Sequence, residues 1–278
     1  MHKHRIPPKD LSHLVKRIYE VNIPGPSTFE ENRIIPMGTG TISISLKGDS
    51  RVKSIDGIHH APNYTLSGQY FPTFSFASDG PLLFYGIALK PTASYKLFDI
   101  YLADIQNDFI KLDEVIGEEA DQLRNQLLQV DETEKRFDLL EDFLIQKLPV
   151  SPKYTHLDVI VDLIYQKQGI LKVKDLCEHE DISRRYLEKK FSNHLGFTPG
   201  QFIRQVRFNF TCAQIAEGTE SVKDILMKFG YYDRSHFMKQ FKKYYGSNLS
   251  VLTGDKNNLF KLIFSRIMRT DSENSFHP

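Results

Sequence analysis

The chain has 278 residues, of which 40% are hydrophobic and 26% charged, and its formal net charge is +1. This composition is that of a globular protein long enough for two domains, and it excludes wholesale disorder. No apolar run approaches a membrane span and the N-terminus lacks a signal-peptide core, so we expect a cytoplasmic protein that makes no membrane contact. Cys177 and Cys212 have neither metal-ligand spacing nor a disulfide framework.

The small net charge conceals a difference between the two halves of the chain. Residues 1–150 hold 16 basic against 21 acidic residues, whereas residues 151–255 hold 16 basic against 12 acidic residues. An acidic half beside a mildly basic half is compatible with one domain that binds a polyanion and one that does not. This difference in charge is within ordinary variation, so it does not identify a polyanion-binding domain without a supporting sequence motif.

Residues 10–32 begin with apolar positions at helical spacing and then contain two prolines. The spacing predicts a helix, and the prolines predict where it ends. The apolar positions are Leu11, Leu14, Val15 and Ile18, and the prolines are Pro24 and Pro26.

Between Arg33 and Pro91 apolar and polar residues alternate instead. TISISL at 41–46 alternates strictly, RVKSI at 51–55 and YFPTFSFA at 70–77 nearly so, and PLLFYGIAL at 81–89 is typical of a buried strand. Short runs separated by Gly, Pro, Asn and Asp predict a β-sheet folded as a small barrel or sandwich.

Two groups of side chains in this region bear on a ligand or metal site. Aromatic residues on the predicted strands line either a small-molecule pocket or simply the core, and core is their commoner role. They are Tyr70, Phe74, Phe76, Phe84 and Tyr85. His59 and His60 lie in a turn-like stretch without metal-ligand spacing, so neither a metal site nor a cofactor is predicted.

After Pro91 the pattern becomes helical. A helix is predicted from Asp131 to about Leu148, and its apolar stripe either packs within its own domain or forms a homodimer contact. The stripe consists of Phe137, Leu140, Leu144 and Leu148. The two prolines of the segment 149–152 interrupt the helical pattern, so we place a linker there, after an N-terminal domain over residues 1–150.

Residues 175–248 contain the same pattern twice, and this internal repeat organises the C-terminal half. Phe191 recurs as Phe241 at an offset of 50 residues. Leu176 recurs as Ile225 at an offset of 49, so the second copy carries one extra residue in its turn. Each copy reads as helix, tight turn and helix, the geometry of a helix-turn-helix motif.

The second helix of each copy combines a capping residue with a cationic surface. Ser183 and Asp233 precede these helices and can accept a backbone amide proton. Cations occupy the positions that the apolar residues leave to solvent, which is common on surface helices; their repetition in register favours DNA binding. The apolar residues are Leu187, Phe191, Phe237 and Phe241, and the cations are Arg184, Arg185, Lys189, Lys190, Arg234, Lys239, Lys242 and Lys243.

Residues 155–252 resemble the DNA-binding domain of AraC-type transcription regulators. The resemblance implies two helix-turn-helix motifs joined by a linker helix over about residues 199–216, with recognition helices in successive major grooves. We therefore place the DNA-binding domain at residues 153–254; the apolar helical face that follows Gly254 predicts a C-terminal helical extension or tail at 255–278. The matching positions include Ser183, Tyr186, Leu187, Lys190, Phe191, Gly196, Phe197, Thr198, Pro199, Ile225, Gly230, Tyr231, Asp233, His236, Phe237, Lys239, Gln240 and Phe241.

This chain departs from the family pattern in its second copy. Leu249 stands where a second proline is frequent, and Leu226 is bulkier than the usual alanine. We therefore expect the first copy to be the better-formed reader of DNA.

The resemblance and the helical positions assign different contacts to the exposed side chains. Contacts to base edges are expected from Arg185, Glu188 and Lys189 in the first copy and from Arg234, Ser235 and Lys239 in the second. Contacts to phosphates are expected from Arg184, Lys190, Lys242 and Lys243. For Glu188, a surface salt bridge to Arg184 or Arg185 is an equally good account.

The resemblance also implies a cupin-like N-terminal domain that senses a small-molecule effector or mediates dimerisation. The predicted fold is α+β, a small β-barrel domain with helices followed by an all-α domain. Expected partners are promoter DNA, RNA polymerase, an effector and a second copy of the chain. No nucleophile elbow, phosphate-binding loop or Cys/His/Asp constellation indicates an enzyme. Two alternatives stay open: an enzyme with a DNA-binding appendage, and a non-specific architectural DNA binder.

Overall fold

The structure is a computed structural model and describes residues 2–34, 37–54, 56–70, 74–148, 154–246 and 248–253. The chain divides into two compact units. The N-terminal unit comprises residues 1–30, 39–70 and 75–153, and the C-terminal unit comprises residues 31–38, 71–74 and 154–278. The predicted linker at 149–152 and the predicted extension at 255–278 lie outside the described residues.

In the part of the chain that the structure describes, strands form two sheets, ordered β1-β2-β9-β4-β7-β10 and β3-β8-β5-β6. The paired strands of assigned register are antiparallel. The α+β prediction is confirmed, with two cupin-like sheets in place of one closed barrel. The strands are β1 (His2–Arg5), β2 (Val15–Ile23), β3 (Arg33–Ile34), β4 (Thr41–Lys47), β5 (Ser50–Ser54), β6 (Gly57–His60), β7 (Tyr64–Ser67), β8 (Phe74–Ser78), β9 (Leu82–Leu89) and β10 (Phe109–Lys111).

The six-stranded sheet follows the alternation of its sequence. In β4, Ile42, Ile44 and Leu46 are buried in the core, while the hydroxyl residues between them are half-buried on the opposite face. Strand β9 lies between β2 and β4 and is mostly buried along its length, as its continuous apolar run predicts. The strands predicted at 41–46 and 81–89 are therefore confirmed.

The predicted aromatic set does not line a single pocket. Neighbouring residues of a strand point to opposite faces of the sheet, and Phe84 and Tyr85 are neighbours on β9. Phe84 contacts Phe76 edge-on at 5.7 Å, whereas Tyr85 packs on Phe137 at 5.8 Å and donates a hydrogen bond to Glu20. Tyr85 is thus a core residue, which is the commoner role weighed from the sequence.

The helix predicted within residues 10–32 is wrong. Only a 3-10 turn forms at Lys9–Leu11, and β2 then pairs with β9 from Val15 opposite Leu89 to Ile23 opposite Leu82. The helical spacing arose because a buried turn and a buried strand follow one another closely in the sequence. The β-branched residues of β2 and its long ladder of hydrogen bonds with the central strand β9 favour a strand over the helix that the spacing predicts.

The turn predicted at His59 and His60 is also wrong, because both residues lie in strand β6. Its register with β5 places His59 opposite Val52. Strand β6 is at the edge of its sheet and is exposed along its whole length. Without a buried face it lacks the alternation from which strands are recognised.

Helices cover the N-terminal unit, and the apolar stripe of the longest one packs inside this unit. Phe137, Leu140 and Leu144 are at most 1% exposed and belong to one core cluster with Ile18 and Ile87. The intradomain alternative for the stripe is confirmed, and these three side chains leave no area for a homodimer contact. The helices are α1 (Ala93–Phe98), α2 (Leu112–Ile116), α3 (Glu119–Leu128) and α4 (Thr133–Gln146).

The C-terminal unit is built from helices around a second core cluster. Thr198 caps the linker helix and Pro199 follows at its first position, a combination typical of helix starts. The predicted linker helix is confirmed. The helices are α5 (His156–Gln166), α6 (Val173–Glu180), α7 (Arg184–Leu195), α8 (Pro199–Glu217), α9 (Val222–Lys228), α10 (Arg234–Tyr245) and α11 (Ser250–Thr253).

Candidate nucleic-acid interface

Both copies of the repeat fold as helix, turn and helix, with α6 and α7 in the first motif and α9 and α10 in the second. Each turn is closed by the same backbone hydrogen bond. The amide of Ile182 donates to the carbonyl of Cys177 at 3.0 Å, and the amide of Tyr231 donates to that of Leu226 at 2.8 Å. The bulkier Leu226 therefore leaves the turn of the second motif intact.

The turns reverse direction through a left-handed backbone residue at equivalent positions. Asp181 has φ 51° in the first motif, and Gly230 has φ 71° in the second. Aspartate tolerates this conformation better than most residues with a side chain, and glycine adopts it without a steric cost.

Both recognition helices, α7 and α10, begin at the predicted caps. The hydroxyl of Ser183 accepts a hydrogen bond from the amide of Tyr186 at 3.2 Å. The carboxylate of Asp233 accepts one from the amide of Ser235 at 2.7 Å. The first amides of a helix have no hydrogen-bond acceptor within the helix, and each cap supplies an acceptor for one of them.

The recognition helices are anchored on two different phenylalanines of the linker helix α8. Phe191 of α7 contacts Phe202 at 5.7 Å, and Phe237 of α10 contacts Phe208 at 5.6 Å. All four rings are at most 2% exposed. Because both anchors belong to one continuous helix, α8 sets the separation of the two motifs. Its 19 residues span roughly 28 Å.

Four of the six predicted base-contact residues occupy equivalent exposed positions in the two motifs, whereas Glu188 is half-buried. Arg185 and Lys189 are four residues apart on one face of α7, and Ser235 and Lys239 are their counterparts on α10. Arg234 is exposed in the first turn of α10. Of the residues assigned to phosphates, Arg184, Lys242 and Lys243 are exposed and Lys190 is half-buried.

Three of the predicted DNA contacts, Arg184, Glu188 and Lys190, have protein partners in the DNA-free chain. Arg184 forms an ion pair with Glu188 at 2.8 Å, which raises the pKa of the Arg184 guanidinium. This is the salt bridge weighed as the alternative for Glu188. Lys190 places its ammonium 5.7 Å from the ring of Tyr186. Both pairs lie at the surface and are weak enough to exchange for phosphate or base partners.

The first motif is also joined to α5 through a carboxylate. Glu180 contacts the imidazole of His156 at 2.7 Å and that of His179 at 2.9 Å. Burial acts to raise the pKa of Glu180, but the two imidazole hydrogen bonds outweigh it, and the pKa is lowered. The neighbouring His194 has its pKa lowered by burial and by the charge of Lys190.

Tyr232 is a surface residue of the second motif that the sequence reading missed. Ile182 corresponds to Tyr231 at an offset of 49, whereas Ser183 corresponds to Asp233 at an offset of 50. The extra residue of the second copy is therefore Tyr232, and its side chain is fully exposed at the start of α10. The change of offset was visible in the sequence, and it could have identified this residue.

We expect Tyr232→Ala to weaken binding of specific DNA by about threefold to thirtyfold, because an exposed aromatic ring beside a recognition helix can pack on a sugar of the DNA backbone. Electrophoretic mobility shift on a DNA site selected from random sequences by the wild-type protein would measure the loss. Tyr154→Ala, an exposed tyrosine before α5, is the matched control and should leave affinity unchanged. Equal affinities of the Tyr232 variant and the wild type would show that the ring makes no DNA contact.

Within the described ranges, no three His, Cys, Asp or Glu side chains are grouped closely enough to hold a metal ion. Among those same residues, no helix has both the length and the apolar character needed to cross a membrane.

Family models match two parts of the chain. Residues 176–253 match a model described as a helix-turn-helix domain. Residues 3–111 match one described as a domain of unknown function, DUF6597. The first match covers α6 to α11, which are the two motifs and the linker helix between them.

Curated relatives are similar to parts of the chain. An uncharacterized HTH-type transcriptional regulator of Haemophilus influenzae is 30% identical over 86 residues, which are 31% of this chain and 29% of that protein. The Msm operon regulatory protein of Streptococcus mutans is 29% identical over 138 residues, 48% of this chain and 50% of that protein. The similarity thus spans half or less of the length of each of these two relatives.

A solved structure shares the fold over most of both chains. ToxT from Vibrio cholerae superposes with a TM-score of 0.50 and 13% identity, covering 85% of this chain and 97% of that chain. At this identity the likeness concerns the fold alone.

Proposed function

Because the chain carries an AraC-type helix-turn-helix domain at residues 176–253, we propose that it is a sequence-specific transcription regulator acting on promoter DNA in the cytoplasm. The observation that supports this most is the pair of capped recognition helices anchored on one linker helix. Because both helices pack on this one continuous helix, the linker holds them in a fixed arrangement. In this proposal the two recognition helices enter successive major grooves on one face of the duplex.

The exposed side chains of each recognition helix divide by the DNA groups that they reach. Arg185 and Lys239 are long cations that suit the O6 and N7 acceptors of guanine. Lys242 and Lys243, in the last turn of α10, meet phosphates and add affinity without sequence information. When the protein binds DNA, Glu188 releases Arg184 from their ion pair and accepts a hydrogen bond from a cytosine amino group.

The N-terminal unit supplies effector sensing or dimerisation in this proposal, and contact with RNA polymerase follows promoter binding. Its support is the cupin-like pair of sheets and the absence, in sequence, of a convergent polar cluster suited to catalysis. Light scattering of the full chain at several concentrations distinguishes a dimer from a monomer. Added effector candidates that change DNA affinity would identify the sensing role.

The direct test of the proposal is selection of bound sequences from random double-stranded DNA. The wild type should enrich a motif with two half-sites about one helical turn apart. A chain with both Arg185→Ala and Lys239→Ala is the control and should lose that motif. If the wild type enriches no motif, the specific-regulator proposal fails.

Titration at two salt concentrations separates this function from architectural DNA binding. A specific regulator retains a large preference for the selected site over random DNA at both concentrations, although both affinities fall as salt rises. Equal affinity for both DNAs would favour the architectural reading.

A further inference from the structure

Arg33 contacts the C-terminal end of a recognition helix from a distant part of the sequence. It precedes Tyr245 by 212 positions, and its guanidinium Nη1 donates a hydrogen bond to the Tyr245 carbonyl at 3.0 Å. Tyr245 is the last residue of α10, and Gly246 follows with φ 62°. Arg33 thus meets the helix where its backbone carbonyls have no partner within the helix.

This position is one where a cation stabilises a helix. The last carbonyls of a helix carry partial negative charge, and arginine can both hydrogen-bond them and interact favourably with the helix dipole. A side chain brought from outside the helix also restricts its final turn. For α10, that turn carries the predicted phosphate contacts Lys242 and Lys243.

Residues close to Arg33 in the sequence are attached to other helices of the same unit. The hydroxyl of Tyr165 on α5 donates to the carbonyl of Met37 at 3.4 Å, and Met37 packs against the core cluster. Gly38 has φ 75°, and a Cβ there would lie 3.1 Å from the ring of Phe202 on α8. The chain is therefore held against α5 and α8 a few residues beyond its contact with α10.

We propose that Arg33 is a positioning residue of the second recognition helix. It caps α10 from outside the helix-turn-helix domain, while Met37 and Gly38 hold the same stretch of chain against α5 and the linker helix. Residues 31–38 belong to the C-terminal unit, so Arg33, Met37 and Gly38 act on α10, α5 and α8 within one unit. The DNA-binding consequence rests on the proposed function; the capping of α10 does not.

Hydrogen exchange of the full-length chain without DNA tests the capping. Arg33→Ala should speed exchange of the amides in the last turn of α10 about threefold to tenfold and leave α7 unchanged. Arg33→Lys should restore most of the protection, because lysine can still donate to the carbonyl. Arg51→Ala removes an exposed arginine paired with Asp79 in the N-terminal unit and is the control for charge. Unchanged exchange in α10 of the Arg33→Ala chain would overturn the proposal.

A double-mutant cycle on the selected DNA tests the consequence for binding. If Arg33 positions α10, the loss of affinity caused by Lys239→Ala should shrink at least threefold in the Arg33→Ala background, whereas the loss caused by Arg185→Ala should not change. If Arg33→Ala left the fold-loss caused by Lys239→Ala as unchanged as that caused by Arg185→Ala, the positioning role would be overturned. Absence of any selected site would count against the proposed function, while the exchange experiment would still decide the capping.

Discussion

Phe208→Ala is expected to lower the free energy of unfolding of the C-terminal unit by about 3–5 kcal/mol. Its ring is 2% exposed and lies 5.6 Å from the ring of Phe237, 6.1 Å from that of Phe241 and 4.9 Å from that of Tyr244. Removing it leaves a cavity between the linker helix and the second recognition helix. Urea denaturation followed by hydrogen exchange of the α8 and α10 amides measures the effect on this unit.

Two variants control the Phe208 experiment. Phe208→Leu keeps most of the buried volume and should cost less than half as much as alanine. Tyr186→Ala removes an aromatic ring that is 42% exposed on α7 and should change stability by under about 1 kcal/mol. A loss below about 1 kcal/mol for Phe208→Ala would contradict the packing of α10 on the linker helix.

Arg185→Ala and Lys239→Ala are each expected to weaken specific DNA binding by about 1–3 kcal/mol, or roughly fivefold to 150-fold. Both side chains are exposed, Arg185 on the first recognition helix and Lys239 on the second. Because they belong to different motifs and share no partner, their effects should add in the double variant. Fluorescence anisotropy with the selected site and with scrambled DNA measures each change.

The phosphate-contacting lysines provide the contrast for these two variants. Lys243→Ala should weaken binding to selected and scrambled DNA alike and lower the salt dependence by about one counterion. If Arg185→Ala also weakened both DNAs equally, the assignment of Arg185 to a base edge would be wrong.

The C-terminal unit was predictable because its signals are local. Ser183 and Asp233 lie next to the helices that they cap, and Leu187 and Phe191 repeat as Phe237 and Phe241 at one offset. Caps, turns and helical spacing depend on residues within a few positions, so the sequence displays them directly. The expectation that the first motif is better formed stays a prediction. Leu187 and Phe191 of the first motif and Phe237 and Phe241 of the second are all at most 1% exposed, so burial does not distinguish the two motifs.

The features that were missed depend on partners far away in the sequence. Residues 15–23 form a strand because they pair by backbone hydrogen bonds with β9, which lies some sixty residues later in the sequence. The residues around 15–23 do not indicate this pairing. The contact of Arg33 is not visible in the sequence, because its partner Tyr245 follows 212 positions later. Such contacts follow from the assembled fold, in which tertiary pairing overrides local propensity.

The most direct test of the central claim changes the spacing between the two selected half-sites. One linker helix of 19 residues holds both recognition helices, so the reach of the protein is fixed. Inserting about five base pairs, half a helical turn, should reduce affinity to that of a single half-site. Inserting about ten base pairs should do the same, because the helix cannot lengthen by another turn of DNA. Affinity that recovers with the longer insertion, or that ignores both insertions, would contradict two motifs fixed on successive major grooves.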